Sequence, residues 1–174
     1  MKYISVLLLI FALELSAKMI TSPMDAMHSN FSKDAKVSKK NIMLSNDEAK
    51  RVSKSAKAKL KSKIFRVFKA VKGKKVLGYG VLVNKKVRSK NAVVLYMIDE
   101  NSVLKSIEII AFNEPTEYIP SKTWISQFEN IDTNKRLRVN NDIPTITGAT
   151  MSARSIVDGS RVAFAFYEEI LKGK

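Results

Sequence analysis

Four stretches rich in β-branched and aromatic residues lie between positions 64 and 111, and the connections between them leave little room for anything but hairpins. They are residues 64–71, 76–83, 92–98 and 103–111. Gly73-Lys74 separates the first two, and Asp99-Glu100-Asn101-Ser102 the last two; both are of hairpin length and turn composition. Parallel neighbours need a crossover of about a dozen residues or more. The spacing therefore predicts consecutive antiparallel strands.

Helices are expected on either side of this block. Ser45 has the chemistry of an N-cap, Asp47 and Glu48 fall where the positive end of a helix dipole favours acids, and Glu48 completes a capping box. That helix runs to about Leu60, with Ala49, Val52, Ala56 and Leu60 as a narrow apolar stripe among lysines. After Ala111 the pattern breaks at Glu114-Pro115 and Pro120, and Ser121 can cap a short helix through Trp124 and Phe128. Over residues 152–171, Ile156, Val162, Ala163, Phe166 and Ile170 recur at helical spacing. The predicted class is α+β, a twisted antiparallel sheet packed against a long C-terminal helix, with an N-terminal basic helix.

With 174 residues the chain is expected to form a single domain, over residues 45–174. Residues 18–44 show no sustained period and predict a flexible leader. Residues 3–13 are apolar apart from Ser5, follow Lys2, and precede Ser16-Ala17. Spanning a membrane takes ~20 apolar residues, so residues 1–17 predict a secretory signal peptide cleaved after Ala17 and a periplasmic protein, with an uncleaved anchor as the alternative.

There is no cysteine, and the single histidine, His28, falls in the leader. Disulfide frameworks, thiolate metal sites, cysteine nucleophiles and Ser-His-Asp triads are excluded on that count. The formal net charge is +15. Residues 33–75 hold sixteen Lys or Arg against Asp34, Asp47 and Glu48, a net +13. One segment therefore carries nearly all of the excess. It reads as a solvated face, or as a surface for an acidic redox partner or for anionic lipid headgroups. No nucleic-acid motif accompanies it, and nucleic acid is not expected as a partner.

Ahead of the last helix lies Asn141-Asp142-Ile143-Pro144-Thr145-Ile146-Thr147-Gly148-Ala149-Thr150-Met151-Ser152-Ala153-Arg154. A hydroxyl-rich loop with small residues, leading into a helix N-terminus with an arginine nearby, suits a phosphate group. The same residues also suit plain capping by Thr150 or Ser152.

Thr147-Gly148-Ala149-Thr150 followed by Ser152 resembles the S/T-G-A-T signature of the FMN-binding domain found in the NqrC and RnfG subunits of redox-driven ion pumps and in related exported flavoproteins. Four further features agree in order over residues 75–171: the Gly78-Tyr79-Gly80 strand, the turn at Asp99 to Ser102, Glu114-Pro115, and Trp124 with Gln127-Phe128. The sequence departs from the family pattern at Pro144, where an aspartate is usual, with Asp142 as the nearest acid, and across residues 114–120.

The resemblance implies FMN joined by a phosphoester to Thr150, placed there by an ApbE-type flavin transferase that recognises the loop Thr147, Gly148 and Ala149. Ser152 and Arg154 are candidates for the phosphate, and Glu114 for a polar edge of the flavin. Tyr118 and Trp124 are the candidate ring contacts, whereas Tyr79, Tyr96 and Phe128 read as core. The implied activity is electron relay rather than substrate turnover, with an acidic redox protein or a membrane-bound electron-transfer complex as partner. Two other readings stand beside it: a reductase with non-covalent FMN, and a cofactor-free basic adaptor for an acidic protein or membrane surface.

Overall fold

A computed structural model describes residues 19–174; the signal-peptide assignment at 1–17 lies outside the described residues. Six antiparallel strands form one sheet whose spatial order is the chain order. They are β1 (Lys36–Met43), β2 (Ile64–Lys72), β3 (Lys75–Lys86), β4 (Asn91–Asp99), β5 (Val103–Phe112) and the short β6 (Ile131–Asp132). The four expected strands are the middle four, β2 to β5, and the turns at Gly73-Lys74 and at Asp99 to Ser102 fall where the sequence pattern puts them. At the β4–β5 turn, Asp99 Oδ1 accepts from the amides of Asn101 (2.9 Å) and Val103 (3.0 Å), an Asx arrangement that fixes the reversal.

The helices are α1 (Pro23–Asn30), α2 (Asn46–Ala56), α3 (Lys122–Ile125) and α4 (Thr150–Phe166), the last continuing through a π turn at Tyr167–Leu171. α4 lies across one face of the sheet against β3 and β4, with α2 beside it. The α+β architecture is as expected. The core between α4 and the sheet is built from Val81, Val94, Tyr96, Ile98 and Ile107 on the strands and Ala153, Ile156, Val157, Ala163 and Phe166 on α4. Phe65 stacks on Phe166 with ring centroids 4.3 Å apart. Gly159 lets α4 pass directly over Tyr96, whose hydroxyl donates to Ile156 O at 2.7 Å.

α2 has the capping box read from the sequence: Ser45 Oγ accepts from Glu48 N at 3.2 Å, and Glu48 Oε2 from Ser45 N at 2.8 Å. The helix ends at Ala56 rather than Leu60, because Lys57 turns into the left-handed region at φ 46°. Ser121 caps α3 as expected.

The leader is different from its sequence expectation. Residues 23–43 form α1 and β1, and β1 pairs with β2 along its whole length, from Lys36↔Val71 to Met43↔Ile64. Most β1 side chains face solvent, so the strand is held by ladder hydrogen bonds that leave no hydrophobic period to read. α1 packs Ala26 and Met27 onto the sheet face opposite α4, over Phe68, Leu95 and Met97. A Cβ at Gly80 would sit 2.6 Å from Met27 Sδ; the glycine is what admits α1.

Candidate functional site

Ahead of α4 the chain is positioned by three local devices. Trp124 Nε1 donates to Pro144 O at 2.8 Å; Asp142 Oδ2 accepts from Arg138 N at 2.9 Å; and Gly148 takes φ 78° with open space where a side chain would go. Ala149 is then the N-cap residue, with no side-chain cap, and Thr150 is the first residue of α4. Neither Thr150 nor Ser152 acts as the cap. Thr150 Oγ1 makes one long contact, 3.4 Å to Ile146 O.

Opposite this helix start, the β3–β4 turn is fastened by Glu114. Its Oε1 accepts from the amides of Arg88 (3.0 Å), Ser89 (2.6 Å) and Lys90 (2.7 Å), and its Oε2 from Ser89 Oγ (3.1 Å). The side chain is 7% exposed. Three converging amides, Lys90 foremost, hold its pKa down to about 2 against the opposing effect of burial. Glu114 is therefore committed to the turn, which removes it as a free acid for a flavin edge. Ser155 Oγ donates to Lys86 O at 3.2 Å and ties α4 to the same end of β3.

These pieces enclose a cleft of about 200 Å³, bordered by Val87 and Arg88 from the turn, Glu114 and Tyr118 from the segment after β5, and Gly148 to Ser152. Four polar features converge there. Ser152 is 1% exposed and its Oγ has no hydrogen-bond partner. Among the described residues the amides of Thr150 and Met151, in the first turn of α4, have no acceptor. Thr150 Oγ1 is half-buried. Arg88 is exposed at the rim and forms no ion pair among the described residues. A buried hydroxyl without a partner is costly, and helix amides next to a cation are a place for an anion.

The structure thus brings together Thr150, Gly148, Ala149, Ser152, Glu114 and Tyr118 of the sequence candidates. It does not bring in three others. Thr147 is exposed beside the cleft and not among its lining residues. Arg154 is exposed, one helical turn beyond Thr150, and outside the lining; Arg88 is the arginine that the fold puts there. Trp124 is buried against Phe128, centroids 5.2 Å apart, and acts on the loop through Pro144 instead of facing the cleft. Arg88 has no sequence signal beyond being a basic residue in a turn; only the tertiary pairing of that turn with Glu114 puts it beside Thr150.

The fold, a sequential antiparallel sheet crossed by a C-terminal helix, is NqrC-like. The similarity is to the crystal structure of Shewanella oneidensis NqrC, with a TM-score of 0.51 and 16% sequence identity, covering 74% of this chain. The chain spans 66% of the length of that NqrC chain. No family model and no curated protein matches the sequence.

Proposed function

We propose that this protein is a flavin-binding electron-transfer domain, exported to the periplasm, whose FMN is joined through its phosphate to Thr150 Oγ1. The observation that carries the reading is the state of the α4 start. Thr150 and the partnerless buried hydroxyl of Ser152 share one cleft with two unused amides and Arg88, which is the donor set a phosphate monoester needs. Cofactor clefts usually hold roughly 300–1,000 Å³. A cleft of about 200 Å³ fits the phosphate and the polyol next to it, and leaves the ring system at the rim beside Tyr118 and the exposed Met151.

Each residue then has a distinct task. Thr150 Oγ1 would attack the flavin-side phosphorus of a flavin dinucleotide brought by the transferase: the Oγ1–P bond forms as the P–O–P bond breaks, the nucleoside monophosphate leaves, the hydroxyl proton goes to solvent, and the branched side chain restricts the direction of the new bond. Ser152 Oγ and the amides of Thr150 and Met151 donate to phosphate oxygens, and Arg88 balances their charge. Glu114 keeps the Arg88 turn in place. FMN would supply the redox chemistry, and the protein its position and dielectric surroundings. An ApbE-type flavin transferase is the partner that makes the bond, acting on the exposed Thr147-Gly148 stretch. An acidic redox protein or a membrane-bound electron-transfer complex exchanges the electrons.

The test is the intact mass of the protein isolated from cells that express such a transferase and export the chain. One FMN adduct is expected, mapping to the peptide that contains Thr150, with fluorescence that stays on the band after denaturation. Thr150→Ala should carry no adduct while unfolding as the parent does, since Thr150 makes only one long contact. Flavin that leaves on denaturation would replace the covalent reading with a non-covalent FMN reductase, and colourless protein would leave the basic adaptor.

A further inference from the structure

α1 covers only part of the sheet face opposite α4. Along one register row at the far end of that face stand Met43 on β1, Ile64 directly opposite it on β2, Val93 on β4 opposite Ala111 on β5, and Met19, which bridges to Ala111. Met43 is 74% exposed, Ile64 55% and Met19 63%, which for large apolar side chains in one row is a costly display without a partner. Two adjoining troughs meet at this end of the sheet and share Arg66, Leu82 and Asn84. The first, of about 290 Å³, reaches Lys59, Lys61 and Ile64 and wraps round to the α4 side, where Phe65, Val83 and Val162 line it; the second, of about 480 Å³, reaches Met19, Lys39 and Val93.

No Asp or Glu lines either trough. Of the five cations that do, Lys39, Lys59, Lys61 and Arg66 have no carboxylate within salt-bridge distance among the described residues, and only Lys85 has one, Asp158 at 3.7 Å. Among the described residues, cations without an ion pair occur elsewhere too, Arg88 for one, although Lys72 meets Asp34, Lys75 meets Glu100 and Lys172 meets Glu168; what sets this region apart is that its cations share acid-free troughs with exposed apolar side chains. Glu108, on the outward side of β5, is taken up by Thr21 Oγ1 at 3.2 Å. Met19, bridged to Ala111, borders this region, and residues 3–13 of the sequence before it are almost wholly apolar.

We propose that this end of the sheet docks onto an anionic phospholipid surface, with Met43, Ile64 and Met19 inserted among the acyl chains and Lys39, Lys59, Lys61 and Arg66 on the headgroup phosphates. Projecting apolar side chains ringed by unpaired cations suit a boundary that is oily within and negative outside. An acidic protein surface would match the cations and leave the apolar row without a use. Val162 on α4, which borders the first trough, is twelve residues from Thr150, or ~18 Å along the helix. Asn84 and Ala111 of the second trough are each three residues from Val87 and Glu114 of the cleft beside Thr150, so docking sets that cleft near the membrane surface, and the test below needs no flavin.

The full chain is mixed with phosphatidylglycerol–phosphatidylcholine vesicles and with pure phosphatidylcholine vesicles, and the bound fraction is read by sedimentation. Residues 3–13 carry no charge but Lys2 and the amino terminus beside them do, so the face is read from the change in the ratio of the two affinities between the parent and variants that share that segment. Each Lys or Arg near such a surface contributes about fivefold. The anionic preference should therefore fall roughly a hundredfold in the triple variant Lys39→Gln, Lys59→Gln, Lys61→Gln, all exposed positions, and should fade at high salt. Met43→Ser with Ile64→Ser should weaken anionic binding about tenfold or more, and a tryptophan introduced as Ile64→Trp should be quenched by brominated phosphatidylglycerol. Equal binding to both vesicles overturns the proposal. So does charge-dependent binding that Met43→Ser with Ile64→Ser leaves unchanged and in which Ile64→Trp escapes quenching, for that is the behaviour of a surface made for an acidic protein.

Discussion

Gly159→Ala should destabilise the protein strongly, and removing one oxygen atom from a different residue should undo the damage. Gly159 lies mid-way along α4 where the helix crosses Tyr96, a fully buried phenol whose hydroxyl is bonded to Ile156 O at 2.7 Å. A Cβ at position 159 would fall well inside contact distance of that hydroxyl, and 3.0 Å from Cζ and 3.4 Å from Cε2. The ring has little freedom to retreat, so overpacking at the upper end of the usual range, about 3 kcal/mol, is expected. Alanine returns about 1 kcal/mol through helix propensity, for a net loss of about 2 kcal/mol, or roughly 4–8 °C in Tm for a chain of this size. Tyr96→Phe alone costs about 1 kcal/mol for the lost hydrogen bond. With Phe at 96 the closest remaining atom is Cζ at 3.0 Å, a tight contact that a small shift of the ring relieves, and the helix propensity of alanine offsets the remaining strain, so Gly159→Ala should then be close to neutral. Urea unfolding of the four proteins gives the coupling directly, and about 2 kcal/mol in favour of the double variant is expected. Additive costs would refute the close crossing of α4 over β4.

Ser152→Ala separates stability from binding: it removes a buried hydroxyl without a partner, so the flavin-free protein should be as stable or up to ~1 kcal/mol more stable, while flavin loading measured by intact mass should fall. Glu114→Gln acts through acid stability. A carboxyl whose pKa is lowered from 4.5 to about 2 by three amides contributes stability that is complete above its unfolded value and is lost as pH falls through that interval; urea midpoints should drop for the parent between those values, and the variant should start lower and change less. Trp124→Phe removes the hydrogen bond to Pro144 O and should cost about 1–2 kcal/mol in thermal unfolding; because it frees the loop before Thr150, loading by the transferase should slow as well.

The parts of this fold that were legible in the sequence are those whose signals are local. The Ser45–Glu48 capping box, the Ser121 cap, the Asp99 turn and the apolar spacing of α4 each state their structure within a few residues. β1 does not, because its side chains face water and its hold is the ladder to β2. α1 is short and contributes mainly Ala26 and Met27 to packing, which no periodicity reveals. At the site, the residues from Gly148 to Ser152 come from one continuous motif and were readable. Arg88 comes from a turn sixty-two positions earlier, and its presence depends on Glu114 folding that turn back. Glu114 stands out in the sequence only for its charge, whereas its task follows from three amides that meet it only in the folded chain.

A sheet whose strand order equals its chain order can grow by adding one neighbour at a time, with no strand waiting for a distant partner. The cleft beside Thr150 obeys the opposite logic. It needs the turn at Val87 to Lys90, the carboxylate that clasps it, and a helix that follows all six strands in the chain. A chain without α4 would lack both that helix's share of the main core and Thr150, so under the proposed function flavin on the polypeptide would certify a finished fold.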